Sequence, residues 1–252
     1  MRFSIVIPVW NNEKWLEHCF QSVLDQTFKD YEVIIVDDMS TDNGIEIIRK
    51  YEQLFSKCKV ILNKTRRLNG GSRNAGIAEA TGDYILCIDC DDWLVDNKVL
   101  EDIDKKINNE DICFLDYKVH TKDNDFVCSQ HYETMEEAFY GFTCALWTRV
   151  VKREFLLKHL QKEGTLFEDL GQHYRLVLNM TSFTYLGRVS HIWNRLNSNS
   201  ISNMDQYKFY QFNFCGELYE LIKEQPEGEK KEYLKNKLKE YLKSCNEMVE
   251  KL

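Results

Sequence analysis

Apolar residues follow two alternating rhythms over the first hundred positions. The runs FSIVIPVW (3–10), YEVIIVDD (31–38), CKVIL (58–62) and YILCI (84–88) are short, nearly continuous and rich in Val and Ile. That is the pattern of strands buried on both faces. Within residues 11–26, Trp15, Leu16, Cys19, Phe20, Val23 and Leu24 recur at helical spacing, which predicts an amphipathic helix between the first two strands. STDNG (40–44) opens a second helix, and a Gly-rich turn leads into a third over SRNAGIAEA (72–80). Strand and helix thus alternate, predicting an α/β fold with a mostly parallel central sheet flanked by helices.

In such sheets ligands bind beyond the carboxyl ends of the strands. The chain concentrates polar groups there: Pro8 to Asn11 follow the first strand, Asp37 and Asp38 end the second, and Asp89, Asp91 and Asp92 follow the fourth. Two carboxylates at i and i+2 around a turn can share a hard divalent cation, leaving coordination positions for a diphosphate. Acids behind a strand also form ordinary solvated turns, here with Asp96 as a helix cap, so an isolated D-x-D decides nothing.

The 252 residues, 43% hydrophobic and 13% aromatic, suffice for a substantial core in one or two domains. The net charge of −8, with Lys and Arg scattered, disfavours a nucleic-acid partner, and an acidic protein needs a cation to handle an anionic ligand. Nine cysteines, an odd number, without a signal-like leader predict a reduced, cytoplasmic protein. The C-x-x-C at Cys87 and Cys90 has no second pair, so zinc is not expected. No apolar stretch reaches the roughly 18–20 residues of a bilayer span, which leaves peripheral contact as the form a membrane association would take. Residues 205–252 predict helices split near QPEGE, the last with Leu234, Leu238, Tyr241, Cys245, Met248 and Leu252 spaced as a seam. The seam has three readings: packing on its own domain, pairing in a homodimer, or a lysine-bearing surface beside anionic lipid.

Six segments in order, SIVIPVWNNEKWLEHCFQSVLDQTF, YEVIIVDDMSTDN, NGGSRNAGIAEATGDYILCIDCDDWL, LWTRVVKREFL, LFEDLGQHYRL and IWNRLNSNSIS, occupy most of residues 3–202. Together they resemble the family 2 glycosyltransferases. The resemblance implies a GT-A (Rossmann-like) domain over 1–202, with a nucleotide-binding half over about 1–95 and an acceptor half over about 96–202, followed by a helical extension over 203–252.

The resemblance also implies roles. Pro8, Val9 and Asn11 would line the nucleotide base, and Asp38 would accept the imide N–H of uracil. Arg73 would lie near the diphosphate, with Gly70 and Gly71 allowing close backbone approach. Asp91 would bind the metal and Asp89 the ribose or the metal, while Asp92 is a local structural carboxylate. Asp169 matches the catalytic base, Glu168 would orient acceptor or base, and Trp147 falls where an acceptor sugar could stack. Each has an ordinary alternative: Asp37 and Asp38 as strand-end acids, Arg73 as an ion-pair partner, Glu168 and Asp169 as an acidic first helical turn, Trp147 as core. His173 and His191 have no visible partner and read as structural or as neighbours of the site. The loop NGGSRN is shorter than in many members, and Met39 and Cys90 stand where smaller residues are common.

The activity implied is metal-dependent (Mn2+ or Mg2+), inverting transfer from a UDP-sugar to a saccharide or lipid-linked acceptor in cell-surface polysaccharide assembly. It would take place in the cytoplasm or peripherally at the inner face of the cell membrane, with NSNSIS (197–202) as a lid. The alternative is a catalytically silent nucleotide-sugar-binding or assembly module. A sugar-1-phosphate nucleotidyltransferase is disfavoured, because PVWNNEKW (8–15) is neither Gly-rich nor strongly basic.

Overall fold

A computed structural model describes residues 1–141, 143–166, 168–198, 200 and 211–249, the side chains of 211–214 and 244–249 lying outside the description. Strands β1 (Phe3–Val9), β2 (Tyr31–Asp37), β3 (Cys58–Leu62) and β4 (Tyr84–Cys87) lie in the order β3-β2-β1-β4, every neighbour parallel. Helices α1 (Glu13–Leu24), α2 (Gly44–Leu54) and α3 (Leu68–Glu79) connect them. Along β1 the side chains alternate between two cores, as a pleated strand requires. Phe3, Ile5, Ile7 and Val9 pack with Leu16 and Phe20 of α1, whereas Val6 packs with Ile34 and Ile77 on the other face.

The second half continues through β5 (Trp93–Leu94), α4 (Val99–Lys106), β6 (Ile112–His120), β7 (Phe126–Cys128) and α5 (Met135–Tyr140). A 3-10 turn (Leu146–Thr148), β8 (Arg149–Lys152), α6 (Arg153–Leu156), α7 (Glu168–Asn179) and β9 (Phe183–Asn194) follow. The sheet extends from β4 through β8, β6 and β9 to β5, with β7 paired to β6. Strand β8 is antiparallel to both neighbours, β9 is parallel to β6, and β5 and β7 are antiparallel to β9 and β6, so the mostly parallel α/β sheet holds one reversed strand at its centre and two short ones at its margins.

One expectation is amended. The Gly-rich stretch is no turn but the first part of α3, which opens at Leu68 with φ +59°. Helix propensity is overruled there by close packing: a Cβ on Gly76 would stand 2.5 Å from Val6 Cγ1, and one on Gly70 2.9 Å from the Lys162 carbonyl oxygen. Gly70 therefore admits protein backbone. Helices α8 (Gln211–Glu224) and α9 (Glu229–Val249) form the C-terminal part of the described chain. Leu218, Leu221, Ile222 and Leu234 lie in the same core cluster as Val6 and Phe114, with Leu238 and Tyr241 packed against it. The front of the seam is thus covered by its own domain. The Cys245 and Met248 side chains, Leu252, and residues 199, 201 and 202 of the expected lid lie outside the described residues. No helix among the described residues is long and apolar enough to cross a membrane.

Candidate active site

Three strand ends build one rim. After β1 the chain turns at Asn11 (φ 47°), whose side-chain oxygen accepts the Thr41 N–H at 2.7 Å; after β2 it turns at Met39 (φ 65°). These left-handed residues let each strand break off abruptly at the sheet edge. Pro8 and Val9 are buried in β1, and the Val9 carbonyl accepts the Asp38 N–H at 2.8 Å. Both Asp38 oxygens have donors within the chain. Oδ1 accepts from Asn63 Nδ2 (2.9 Å) and Arg67 N (2.8 Å), and Oδ2 from Arg66 Nη1 (3.0 Å) and Leu68 N (2.8 Å). Asp38 thereby fastens the entry to α3, and the Arg66 guanidinium lies 3.6 Å from the Trp10 ring centre.

Beyond β4 the acids divide their work. Asp89 Oδ1 accepts Arg73 Nη2 at 2.6 Å, and Asp91 Oδ2 accepts Asn197 Nδ2 at 2.6 Å. Asp92 is buried, and its Oδ1 accepts the Asn194 N–H of β9 at 2.8 Å. Burial, with Asp91 and Asp89 next to it, pushes the Asp92 carboxyl well above the usual range; it is the local structural group the sequence suggested.

Arg73 is where the second half of the chain meets the first. It is 1% exposed, so it is neither a surface partner nor free to reach outward. Besides Asp89, its Nη1 donates to Glu168 Oε1 (3.0 Å) and Asp169 Oδ1 (3.3 Å) at the start of α7. Burial disfavours its charge, but Asp89, Asp169 and Glu168 outweigh that and hold it firmly cationic. Arg73 thus forms a bridge between the D-x-D turn and the acidic pair.

Asp89, Asp91, Asp92, Glu168 and Asp169 outnumber the buried cations that act on them, Arg73 and, at Asp169, Arg149. Burial, then the Asp169 charge, pushes Glu168 up to about 8 against the pull of Arg73. Burial also raises Asp169, again opposed by Arg73. Burial and Asp89 lift Asp91 to about 6. Asp89 and Asp91 are hard oxygen donors of the kind a divalent metal takes, although the described residues hold no cluster of three or more His, Cys, Asp or Glu that could bind one unaided. A cation there would complete its shell from phosphate and water, as Mg2+ and Mn2+ do.

The Asp169 side chain is 21% exposed and is gripped through one oxygen. Its Oδ1 also accepts Gln161 Nε2 at 2.5 Å and Leu146 N at 3.4 Å, while Oδ2 has no partner among the described residues. Gln161 carries no motif, and its contacts span the fold, so sequence reasoning missed it. Trp147, by contrast, is 6% exposed and packed edge-on against Tyr117 (4.9 Å) and His191 (4.7 Å). It offers no open face to a sugar and is core. His191 is buried to the point that its pKa falls to about 3, and burial with Arg149 beside it pushes His173 well below its usual value. Both rings are neutral and structural.

Residues 4–173 match the family model described as Glycosyl transferase family 2. The cholesterol galactosyltransferase of Borreliella burgdorferi is 28% identical over 207 residues, 73% of this chain and 58% of its own length. TarS of Staphylococcus aureus, a poly(ribitol-phosphate) beta-N-acetylglucosaminyltransferase, is 32% identical over 99 residues, 37% of this chain and 17% of its own. The structure of its residues 1–349 with UDP-GlcNAc superposes with a TM-score of 0.75 at 20% identity, covering 97% of this chain and 72% of that one. The mannosyltransferase PcManGT of Pyrobaculum calidifontis, in complex with GDP-Man and Mn2+, gives 0.67 at 13% identity over 97% and 73%. The chain therefore spans little more than half, or less, of the length of these curated relatives, and its α/β sheet has the GT-A form of the solved structures.

Proposed function

The chain belongs to glycosyl transferase family 2, and from that premise we propose that it moves a sugar, with inversion, from a UDP-sugar to a saccharide or lipid-linked acceptor of the cell surface. The observation that carries this is the Arg73 bridge, which ties the D-x-D acid Asp89 to Glu168 and Asp169 through one buried guanidinium. Donor-binding and acceptor-activating groups are thereby held in fixed relation, as a single displacement needs.

In this reading Asp169 takes the acceptor hydroxyl proton on Oδ2 while Oδ1 stays hydrogen-bonded. Glu168, pushed up to about 8, keeps its proton at neutral pH and accepts from Arg73 Nη1 as a neutral carboxyl, so that Asp169 and Asp89 are the charged partners of the guanidinium. Asp89 and Asp91 would hold Mn2+ or Mg2+, whose charge would offset that of the nucleoside diphosphate. Pro8, Val9, Asn11 and Asp38 form the floor beneath the uracil, with Asp38 acting there through the loop it fastens. TarS bound to UDP-GlcNAc supports a UDP donor, and PcManGT bound to Mn2+ supports the metal. The site of action is the cytoplasmic side, at or near the membrane that carries the acceptor.

The test is binding and hydrolysis of UDP-, GDP-, dTDP- and CMP-sugars with and without Mn2+ in wild type, Asp91→Ala and Asp169→Asn. The reading requires a UDP-sugar that binds with metal, loss of that binding in Asp91→Ala, and retained binding with lost transfer in Asp169→Asn. Failure of every nucleotide sugar to bind would sink it.

A further inference from the structure

The segment 159–163 runs as a strap between α3 and α7, and both helices pin its backbone. From α7, Gln172 Nε2 donates to the His159 carbonyl at 2.8 Å and Arg175 Nη2 to the Leu160 carbonyl at 3.1 Å. From α3, Asn74 makes a reciprocal pair with Gln161: its Nδ2 donates to the Gln161 carbonyl (2.8 Å), and its Oδ1 accepts the Gln161 N–H (3.0 Å). Glu163 accepts Arg67 Nη2 at 2.6 Å, and Gly70 clears the way for the Lys162 carbonyl. The His159 and Leu160 carbonyls and both main-chain groups of Gln161 are thus committed, so its side chain leaves from a backbone held by two helices.

That side chain is 3% exposed and faces the acidic pair. Its Nε2 donates to Asp169 Oδ1 at 2.5 Å, and its Oε1 accepts Arg73 Nη1 at 3.4 Å. The amide cannot be turned over, since Oε1 would then confront a carboxylate oxygen and Nε2 a guanidinium. A carboxylate in its place would add a fourth acid around Arg73; the neutral amide supplies a donor with no added charge.

We propose that Gln161 is the positioning residue of the Asp169 base, fixing Oδ1 so that Oδ2 alone is presented to the acceptor hydroxyl. The inference rests on the transferase reading above and deepens it. A donor on Oδ1 favours the charged form of the carboxylate, so removing it raises the pKa of the base.

The experiment compares transfer kinetics of wild type, Gln161→Met, Gln161→Glu and Asp169→Asn with a UDP-sugar and Mn2+ across pH 5 to 9. Gln161→Met keeps length and burial but loses the amide. It is expected to lower kcat roughly 10- to 100-fold, the value of one hydrogen bond to a charged group, to leave the donor KM within about twofold, and to move the acid limb of kcat upward by about one pH unit. Gln161→Glu, which keeps the shape should the Met variant not fold, moves that limb further in the same direction because the new charge faces Asp169. If Asp169→Asn is inactive while both Gln161 variants keep the wild-type kcat and acid limb, the positioning role is wrong and the transferase reading stands. If Asp169→Asn transfers sugar at the wild-type rate, both fall together.

Discussion

Substituting Gly171 by Ala tests how α7, the helix that bears Asp169, is seated. A Cβ at Gly171 would lie 1.8 Å from Glu217 Oε2, 2.6 Å from its Cδ and 3.2 Å from its Cβ. Glu217 is buried on α8, and its Oε2 accepts Arg175 Nη1 at 2.9 Å. The methyl group cannot be admitted unless the Glu217 carboxylate leaves. Overpacking of this kind costs about 1–3 kcal/mol, and the lost charge-assisted bond adds about 1.5 kcal/mol. Alanine returns about 1 kcal/mol over glycine inside a helix, so the net loss is about 2 kcal/mol. In a Glu217→Ala background the obstruction is gone and only the helix gain remains, so the same substitution becomes stabilising by up to about 1 kcal/mol. Denaturant unfolding of the four proteins gives the cycle, with a coupling of about 3 kcal/mol. Equal effects in the two backgrounds, or a Gly171→Ala variant as stable as wild type, would refute the reasoning.

Arg73→Lys keeps the charge but cannot fork between Asp89 and the Glu168–Asp169 pair; transfer should fall by about 100-fold or more, with circular dichroism confirming the fold, and near-normal turnover would contradict the bridge. Glu168 has a folded pKa raised from 4.5 to about 8, so between these values the native state holds a proton the unfolded chain lacks. Its contribution to stability therefore falls as pH rises through that window, and thermal melts at pH 5, 6, 7 and 8 should show a slope that Glu168→Gln flattens. Trp147→Ala should cost about 3–5 kcal/mol, as expected of a buried aromatic, with little change in the acceptor KM of the folded fraction; a large KM rise at unchanged stability would restore the sugar-stacking role.

The nucleotide half was legible because its signals are local. Strand β3 occupies residues 58–62 as its apolar run predicts, and β1, β2 and β4 each end one residue short of theirs. The Gly-rich stretch misled because its glycines answer to distant partners, Val6 and Lys162, which no window of neighbouring residues contains. Asp89, Glu168 and Asp169 could be picked out as acids at motif positions, yet their convergence on Arg73 depends on contacts across 16, 95 and 96 residues. Gln161 was beyond reach for the same reason: it is one polar residue whose meaning is set by Asn74, 87 positions earlier. Trp147 shows the converse, a residue at a motif position that the packing of Tyr117 and His191 claims for the core.

The docking of α8 and α9 on the base helix has a consequence for how the protein is made. Chains emerge from the ribosome N-terminus first, and domains fold as units when their last necessary segment is out. The apolar bed formed by Tyr174 and Val177 on α7, together with Phe139, is roofed by Leu218, Leu221 and Leu234, the first of them translated 39 positions after Asn179, the last residue of α7. Until those residues are made, that bed has no cover, and exposed apolar surface of this kind is what makes folding intermediates prone to aggregate. A chain released early would carry every acid of the site, yet it would present a sticky surface to proteases before it could present Asp169 to a substrate.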